Sequence, residues 1–149
     1  MTAMIEEISV QGRLLAVILR ASYSEPGIHF FTLEDSALQL GHMRWPAGKL
    51  IEPHLHNEVE RTILQTQEVL FVRRGSARVD FYDDHRSYLQ SRILYPGDVI
   101  LLSSGGHGFE ALEELEMIEV KQGPYVGGRD KTRFVGEKPA QLVFDKSRA

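Results

Sequence analysis

Residues 67–82 read QEVLFVRRGSARVDFY, and the reading of this stretch decides the fold. Val69-Leu70-Phe71-Val72 is a short apolar run, Arg73-Arg74-Gly75 interrupts it, and Ala77 to Tyr82 then alternates before Asp83-Asp84. A period of two marks a strand with one buried face, and glycine and aspartate punctuate the ends of strands. By the same period Glu68, Leu70 and Val72 share a face, so Glu68 is a carboxylate beside an apolar wall. Buried there alone it would cost on the order of several kcal/mol, which a cation would offset.

The pattern continues on both sides. Leu14 to Leu19, Ile28 to Leu33, Leu38 to Trp45 and Lys49 to His56 read as strands, as do Tyr88 to Tyr95, Val99 to Leu102, Phe109 to Leu112 and Leu115 to Val120. Short strands parted by Gly, Pro and Asp turns predict an all-β sandwich or barrel. Helical signals are confined to residues 2–8, with Met4, Ile5 and Ile8 on one face, and to NEVERTILQTQ (57–67), where Val59 and Ile63 stand one turn apart. The remainder, 123–149, is rich in Gly, Lys and Arg. It reads as a tail with one strand-like piece at 132–135, fraying after about Val143. The whole, 1–149, reads as one domain with its barrel core at about 28–122.

Bulk composition narrows the partners. The 149 residues carry 17 Lys and Arg against 21 Asp and Glu, a net charge of −4, with no basic block. That argues against nucleic acid or a membrane surface as partner. With no cysteine there is neither a disulfide framework nor a thiolate metal site. The N-terminus lacks the features of a targeting peptide, and no run approaches the roughly 18 apolar residues of a membrane span, so a soluble cytoplasmic protein is expected.

Histidines carry the chemistry. His54 and His56, in PHLH, lie two apart on an expected strand and so project to one face. His107 follows Ser103-Ser104-Gly105-Gly106 and shares a face with Phe109 and Ala111. With Glu68 they make a set of N and O ligands suited to a divalent transition metal. Three His and one Glu leave open positions on octahedral Fe, Mn, Ni or Co, whereas Zn more often closes with four ligands. His29, His42 and His85 lack such company and read as surface or hydrogen-bonded core residues.

The spacing resembles that of the cupins, small double-stranded β-helix (jelly-roll) barrels. Gly48, then His54-Leu55-His56, then Glu68 and Gly75 resemble the family's first motif, and Gly97, Gly105 and His107 resemble its second. The resemblance implies a barrel with short N-terminal and C-terminal extensions, holding a metal on His54, His56, Glu68 and His107. Residues 57–67 are an insertion relative to the family, and Glu60 competes with Glu68 for the ligand role. Glu68 is preferred because it keeps the family's run to Gly75. The runs 54–72 and 103–125 are similar to small single-domain cupins of bacterial surface-polysaccharide synthesis.

The resemblance and its ligand set imply a metal-dependent cupin enzyme, an isomerase or oxygenase, acting on a small polar, carbohydrate-derived molecule. Alternatives are a non-catalytic sensing module of the same fold and a metal-free structural barrel acting through oligomer contacts. Tyr82 and Glu60 are candidate acid–base groups, and Gln65, Gln67, Arg44 and Arg92 candidate substrate-binding residues. The insertion 57–67 is expected to form a flap over the barrel mouth. The cations Lys121, Arg129, Lys131 and Arg133 admit two readings: contact with a phosphate-bearing substrate, or pairing with Glu113, Glu114, Glu116 or Glu119, which the sequence favours. A homodimer is expected, formed through the strand at Leu14 to Leu19.

Overall fold

In the computed structural model, which describes residues 3–144, the chain is all-β, with ten strands in three separate antiparallel sheets. The strands are β1 (Ile5–Val10), β2 (Arg13–Leu19), β3 (Gly27–Phe30), β4 (Gly41–Arg44), β5 (Glu68–Arg74), β6 (Ala77–Tyr82), β7 (Tyr88–Leu94), β8 (Val99–Leu102), β9 (Gly106–Ala111) and β10 (Glu116–Lys121). One sheet has five strands in the order β1-β2-β8-β5-β10, a second has three in the order β7-β6-β9, and β3-β4 is an isolated hairpin.

The alternation read from 67–82 sets the layers. Leu70 and Val72 of β5, Ile100 and Leu102 of β8, and Ala16 and Ile18 of β2 face Val79 and Phe81 of β6 and Leu94 of β7, forming the main core. The opposite face of the large sheet buries Val17 and Leu101 under Leu40, with Phe31, Leu38, Val69 and Val99 packed around them. Strands β2 and β8 are therefore buried on both faces, which is why they read as unbroken apolar runs. A bulge adds to this: Ile8 pairs with Ala16 but Ser9 with Leu14, so the extra residue Leu15 joins Ala16 in the main core.

The two larger sheets pack face to face but do not join. The edge strands of one, β1 and β10, form no ladder with those of the other, β7 and β9. The expected cupin jelly-roll barrel is thus not present: the three sheets are open. Gly75 marks the division. Its φ of +75° and its close approach to the Glu114 carbonyl turn the chain sharply out of the large sheet and into the small one.

Several local expectations are also corrected. A helix is expected over 2–8, but Ile5–Val10 pairs with β2 as a strand, and residue 2 lies outside the described residues. The region before residue 28 is no extension, since β2 lies inside the large sheet. Lys49 to His56 and 132–135 form no strand, and 57–67 holds no helical turn. The C-terminal segment is docked as far as Val143, whose carbonyl accepts from Ser91 N at 2.7 Å and whose N–H donates to the Tyr88 hydroxyl at 3.0 Å. Residues 145–149, where fraying is expected, lie outside the described residues.

Candidate functional site

A cleft of about 940 Å³ runs along β9, the edge strand of the small sheet. Its inner end opens between the two large sheets. There Glu68, first residue of β5, and Lys121, last residue of β10, are register partners, and His107 of β9 faces them from the other sheet. Glu68 Oε2 lies 3.4 Å from His107 Nε2. That contact holds the Glu68 carboxyl below its usual range. Partial burial opposes the shift, and the charges of Lys131 and Lys121 reinforce it.

The outer end lies on the far face of the small sheet, where Arg78, Asp80 and Tyr82 of β6 stand opposite Glu110, Gly108 and Gly106 of β9. Asp80 is almost fully buried. It accepts from Arg78 Nε at 2.9 Å and Ser91 Oγ at 2.5 Å, and Lys138 Nζ stands 3.4 Å away. Burial alone would raise its carboxyl, but these partners prevail and lower it. Burial also pushes the Tyr82 hydroxyl upward. The segment 131–138 roofs this end, with the Phe134 ring edge-on to Tyr82 at 5.2 Å and Arg86 over Phe134 at 5.6 Å. Glycines at 106 and 108 keep the floor low: a Cβ at Gly106 would press on Phe134, while one at Gly108 would meet open space.

Charge along the cleft is uneven once pairs are set aside. Arg78 pairs with Asp80 and Glu110, Lys121 with Asp130, and Lys138 with Asp80. Asp84 pairs with Arg13. Among the described residues Arg86, Lys131 and Arg133 have no carboxylate partner. Of the acids lining the cleft, Glu68 meets only His107, and Asp83 forms no salt bridge among the described residues; its Oδ1 accepts the N–H groups of His85 and Ser87. The lining thus holds six cations and six carboxylates, balanced in sum, but Arg86, Lys131 and Arg133 are left without a carboxylate partner among the described residues.

The predicted metal ligands divide into two groups. Glu68 and His107 meet. His54 and His56 lie on the largely exposed segment 45–66, their rings 5.2 Å apart and edge-on, with His54 Nδ1 2.9 Å from the Glu52 carbonyl. Neither lines the cleft. Among the described residues no group of three or more His, Asp or Glu is arranged to hold a metal ion. The four residues are therefore not brought together as one ligand set in this structure. The metal-dependent cupin enzyme, its sensing and structural variants, and the link to polysaccharide synthesis lose their basis, since the sheets are open and no metal cluster is found among the described residues.

The other candidates fall as follows. Glu60 and Gln65 are exposed on the same segment. Gln67 is buried, accepting from Leu38 N at 2.9 Å and donating to Ser103 Oγ at 3.1 Å, which clips the layers together. Arg44 donates to the Ser24 carbonyl and Arg92 to Glu6 Oε2, both outside the cleft. Tyr82 lines it. The tail cations do not pair with the glutamates that the sequence favours. Glu113 accepts from Ser76, Glu114 and Glu116 pair with Arg74 and Arg73, and Lys121 takes Asp130. Arg86 and Phe134 carry no sequence signal, being brought to β9 only by tertiary packing.

Compared with protein-family models, curated proteins and solved structures, the chain matches none. No helix among the described residues is long and apolar enough to cross a membrane.

Proposed function

We propose that the cleft along β9 binds a small polar molecule bearing both hydroxyl groups and an anionic group, of the sugar-phosphate class. The observation that carries this is the set of cations Arg86, Lys131 and Arg133, without a carboxylate partner among the described residues, facing a cavity of about 940 Å³, a size suited to a small ligand. Unpaired guanidinium and ammonium groups there supply charge-assisted donors for an anion. Glu68 and His107, held at the inner end, offer an acceptor and a ring nitrogen to hydroxyls. Burial of the paired charges around Asp80 keeps the outer wall fixed, so the ligand meets a preformed site. The chain is also proposed to work as a homodimer, though not through Leu14 to Leu19. Strand β2 is paired on both sides, to β1 and β8, and offers no free edge.

Calorimetric titration with inorganic phosphate and with glucose 1-phosphate tests the cleft. The phosphorylated sugar should bind more tightly than phosphate, and both should weaken with added salt. Replacing Lys131 and Arg133 together by alanine should weaken binding by about tenfold or more. No detectable binding of either probe, or binding unchanged in that double variant, overturns the reading.

A further inference from the structure

Tyr82 ends β6 almost wholly buried, 3% exposed, yet its hydroxyl makes no hydrogen bond among the described residues. A buried tyrosine hydroxyl ordinarily has a partner, because an unmet donor has given up its hydration. Its neighbour Tyr88, edge-on at 6.0 Å, follows that rule: its hydroxyl bonds Ser91 Oγ at 2.8 Å and accepts from Val143 N at 3.0 Å. The Tyr82 ring is fixed by Tyr88, by Phe134 at 5.2 Å and by Gly136, where an added Cβ would collide with the hydroxyl. Tyr82 and Gly136 both line the cleft, so the cleft is where an acceptor can reach this hydroxyl. Burial raises the hydroxyl above its usual range, which keeps it a donor at neutral pH.

Arg86 lines the same cleft, and its backbone is held in a costly conformation. Its φ is +68°, in the left-handed region that favours glycine. Asp83 imposes this turn: its carbonyl accepts from Arg86 N at 3.0 Å, and its carboxylate accepts from His85 N at 2.9 Å and Ser87 N at 2.8 Å. Gln11, the other non-glycine residue with positive φ, does not line the cleft. A glycine at 86 would satisfy the same turn with less strain, so arginine there is explained by its guanidinium and not by the fold. That guanidinium rests over the Phe134 ring at 5.6 Å. A cation–π contact at an exposed site is weaker than a charge-assisted hydrogen bond, so an anion can draw the group off the ring.

Phe134 neighbours both groups. We infer that Tyr82 and Arg86 together seat the anionic group of the ligand, a phosphate monoester, at the outer end of the cleft, the hydroxyl donating one hydrogen bond and the guanidinium a forked pair. A phosphate suits this seat better than a carboxylate. Its free oxygens diverge, so they can meet a hydroxyl from the sheet and a guanidinium from the turn at once, whereas a carboxylate offers two oxygens in one plane. Asp80, whose charge reaches Tyr82, is already paired with Arg78 and Lys138. The sugar then runs inward past Gly106 and Gly108 toward Glu68 and His107, the end where the charge of Lys131 acts on Glu68. This inference rests on the reading of the cleft above and assigns the direction in which the ligand lies.

Calorimetric titration of the full chain with inorganic phosphate and with glucose 1-phosphate, paired with thermal unfolding, tests the seat. Tyr82→Phe and Arg86→Gly should each weaken both probes by about tenfold, and by a similar factor for each, because the lost contact is to the phosphate. Arg86→Lys keeps the charge without the fork and should recover part of the loss. Glucuronate, a sugar with a carboxylate in place of the phosphate, should bind more weakly than glucose 1-phosphate. Thermal midpoints should hold in Tyr82→Phe, which loses no hydrogen bond among the described residues, and hold or rise in Arg86→Gly. A wild-type chain that binds neither phosphate probe overturns the reading of the cleft and this seat together. Wild-type binding that persists at full strength in either variant overturns the seat alone. So does a loss confined to glucose 1-phosphate, a loss accompanied by a lowered midpoint, or tighter binding of glucuronate.

Discussion

Glu68 Oε2 and His107 Nε2 stand 3.4 Å apart across the gap between two sheets that share no hydrogen-bonded strand. The pair is thus a polar bridge between the two layers, which the Arg92–Glu6 ion pair also joins, from β7 to β1, at 2.8 Å. Because the folded carboxyl lies below its usual range, the contact contributes stability that is full above the unfolded glutamate pKa. That contribution is lost as pH falls through the lowered folded value. Glu68→Gln should therefore cost at most about 1 kcal/mol at pH 7 and almost nothing well below the glutamate range. Urea midpoints measured at pH 7 and pH 3 check this, and a constant difference between the two proteins at both pH values would contradict it.

That relationship also shows where sequence reading succeeds. Alternation along β5 and β9 is a local property, so the shared inner face of Glu68, Leu70 and Val72, and of His107 with Phe109, can be read residue by residue. Strands β6 and β8 are legible with their bounds for the same reason. His54 and His56 fail because alternation alone does not make a strand, and Lys49 to His56 finds no neighbour to pair with. Closure of a barrel is likewise a long-range property: it depends on which edges meet, and no spacing of Gly and His encodes that. The cleft's cations lie on either side of the same limit. Lys131 and Arg133 are visible in the sequence as a charge cluster, but their lack of carboxylate partners emerges only when Glu113, Glu114 and Glu116 are seen bonded elsewhere.

Asp80 anchors the outer wall. Its carboxylate is held by Arg78, Ser91 and Lys138 and is almost wholly out of water. Asp80→Asn keeps the shape but leaves the partly buried guanidinium of Arg78 with Glu110 alone, and should cost about 2 kcal/mol. The variant should also loosen the roof, seen as faster amide exchange across 136–143. Since the wild-type carboxyl is lowered in the fold, the penalty should be largest at neutral pH and shrink as pH falls below the aspartate range.

Gly75 should not tolerate a side chain. Its φ of +75° disfavours any L-residue, and an added Cβ would collide with the Glu114 carbonyl, a backbone atom that cannot rotate away. Gly75→Ala is expected to cost about 3 kcal/mol or more, read as a lowered urea midpoint with unchanged m-value. A loss below about 0.5 kcal/mol would mean that the turn between the sheets is not as described.

The two glycines of β9 separate stability from binding. At Gly106 a Cβ would sit 2.9 Å from Phe134 Cζ and 3.1 Å from Tyr82 Cβ, so Gly106→Ala must displace the roof of the cleft. At Gly108 nothing lies within 4 Å, and the backbone φ is an ordinary one. Gly108→Ala should therefore leave stability within about 0.5 kcal/mol of wild type, or raise it slightly through the less flexible unfolded chain. The added methyl nevertheless enters the floor of the cleft. If glucose 1-phosphate lies along β9, its affinity should fall several-fold in Gly108→Ala while the thermal midpoint holds, and in Gly106→Ala both should fall together. Calorimetry and thermal unfolding on the same samples decide it. Unchanged affinity in Gly108→Ala would place the ligand away from this strand, leaving the cations of segment 131–138 to act on a ligand bound outside the groove.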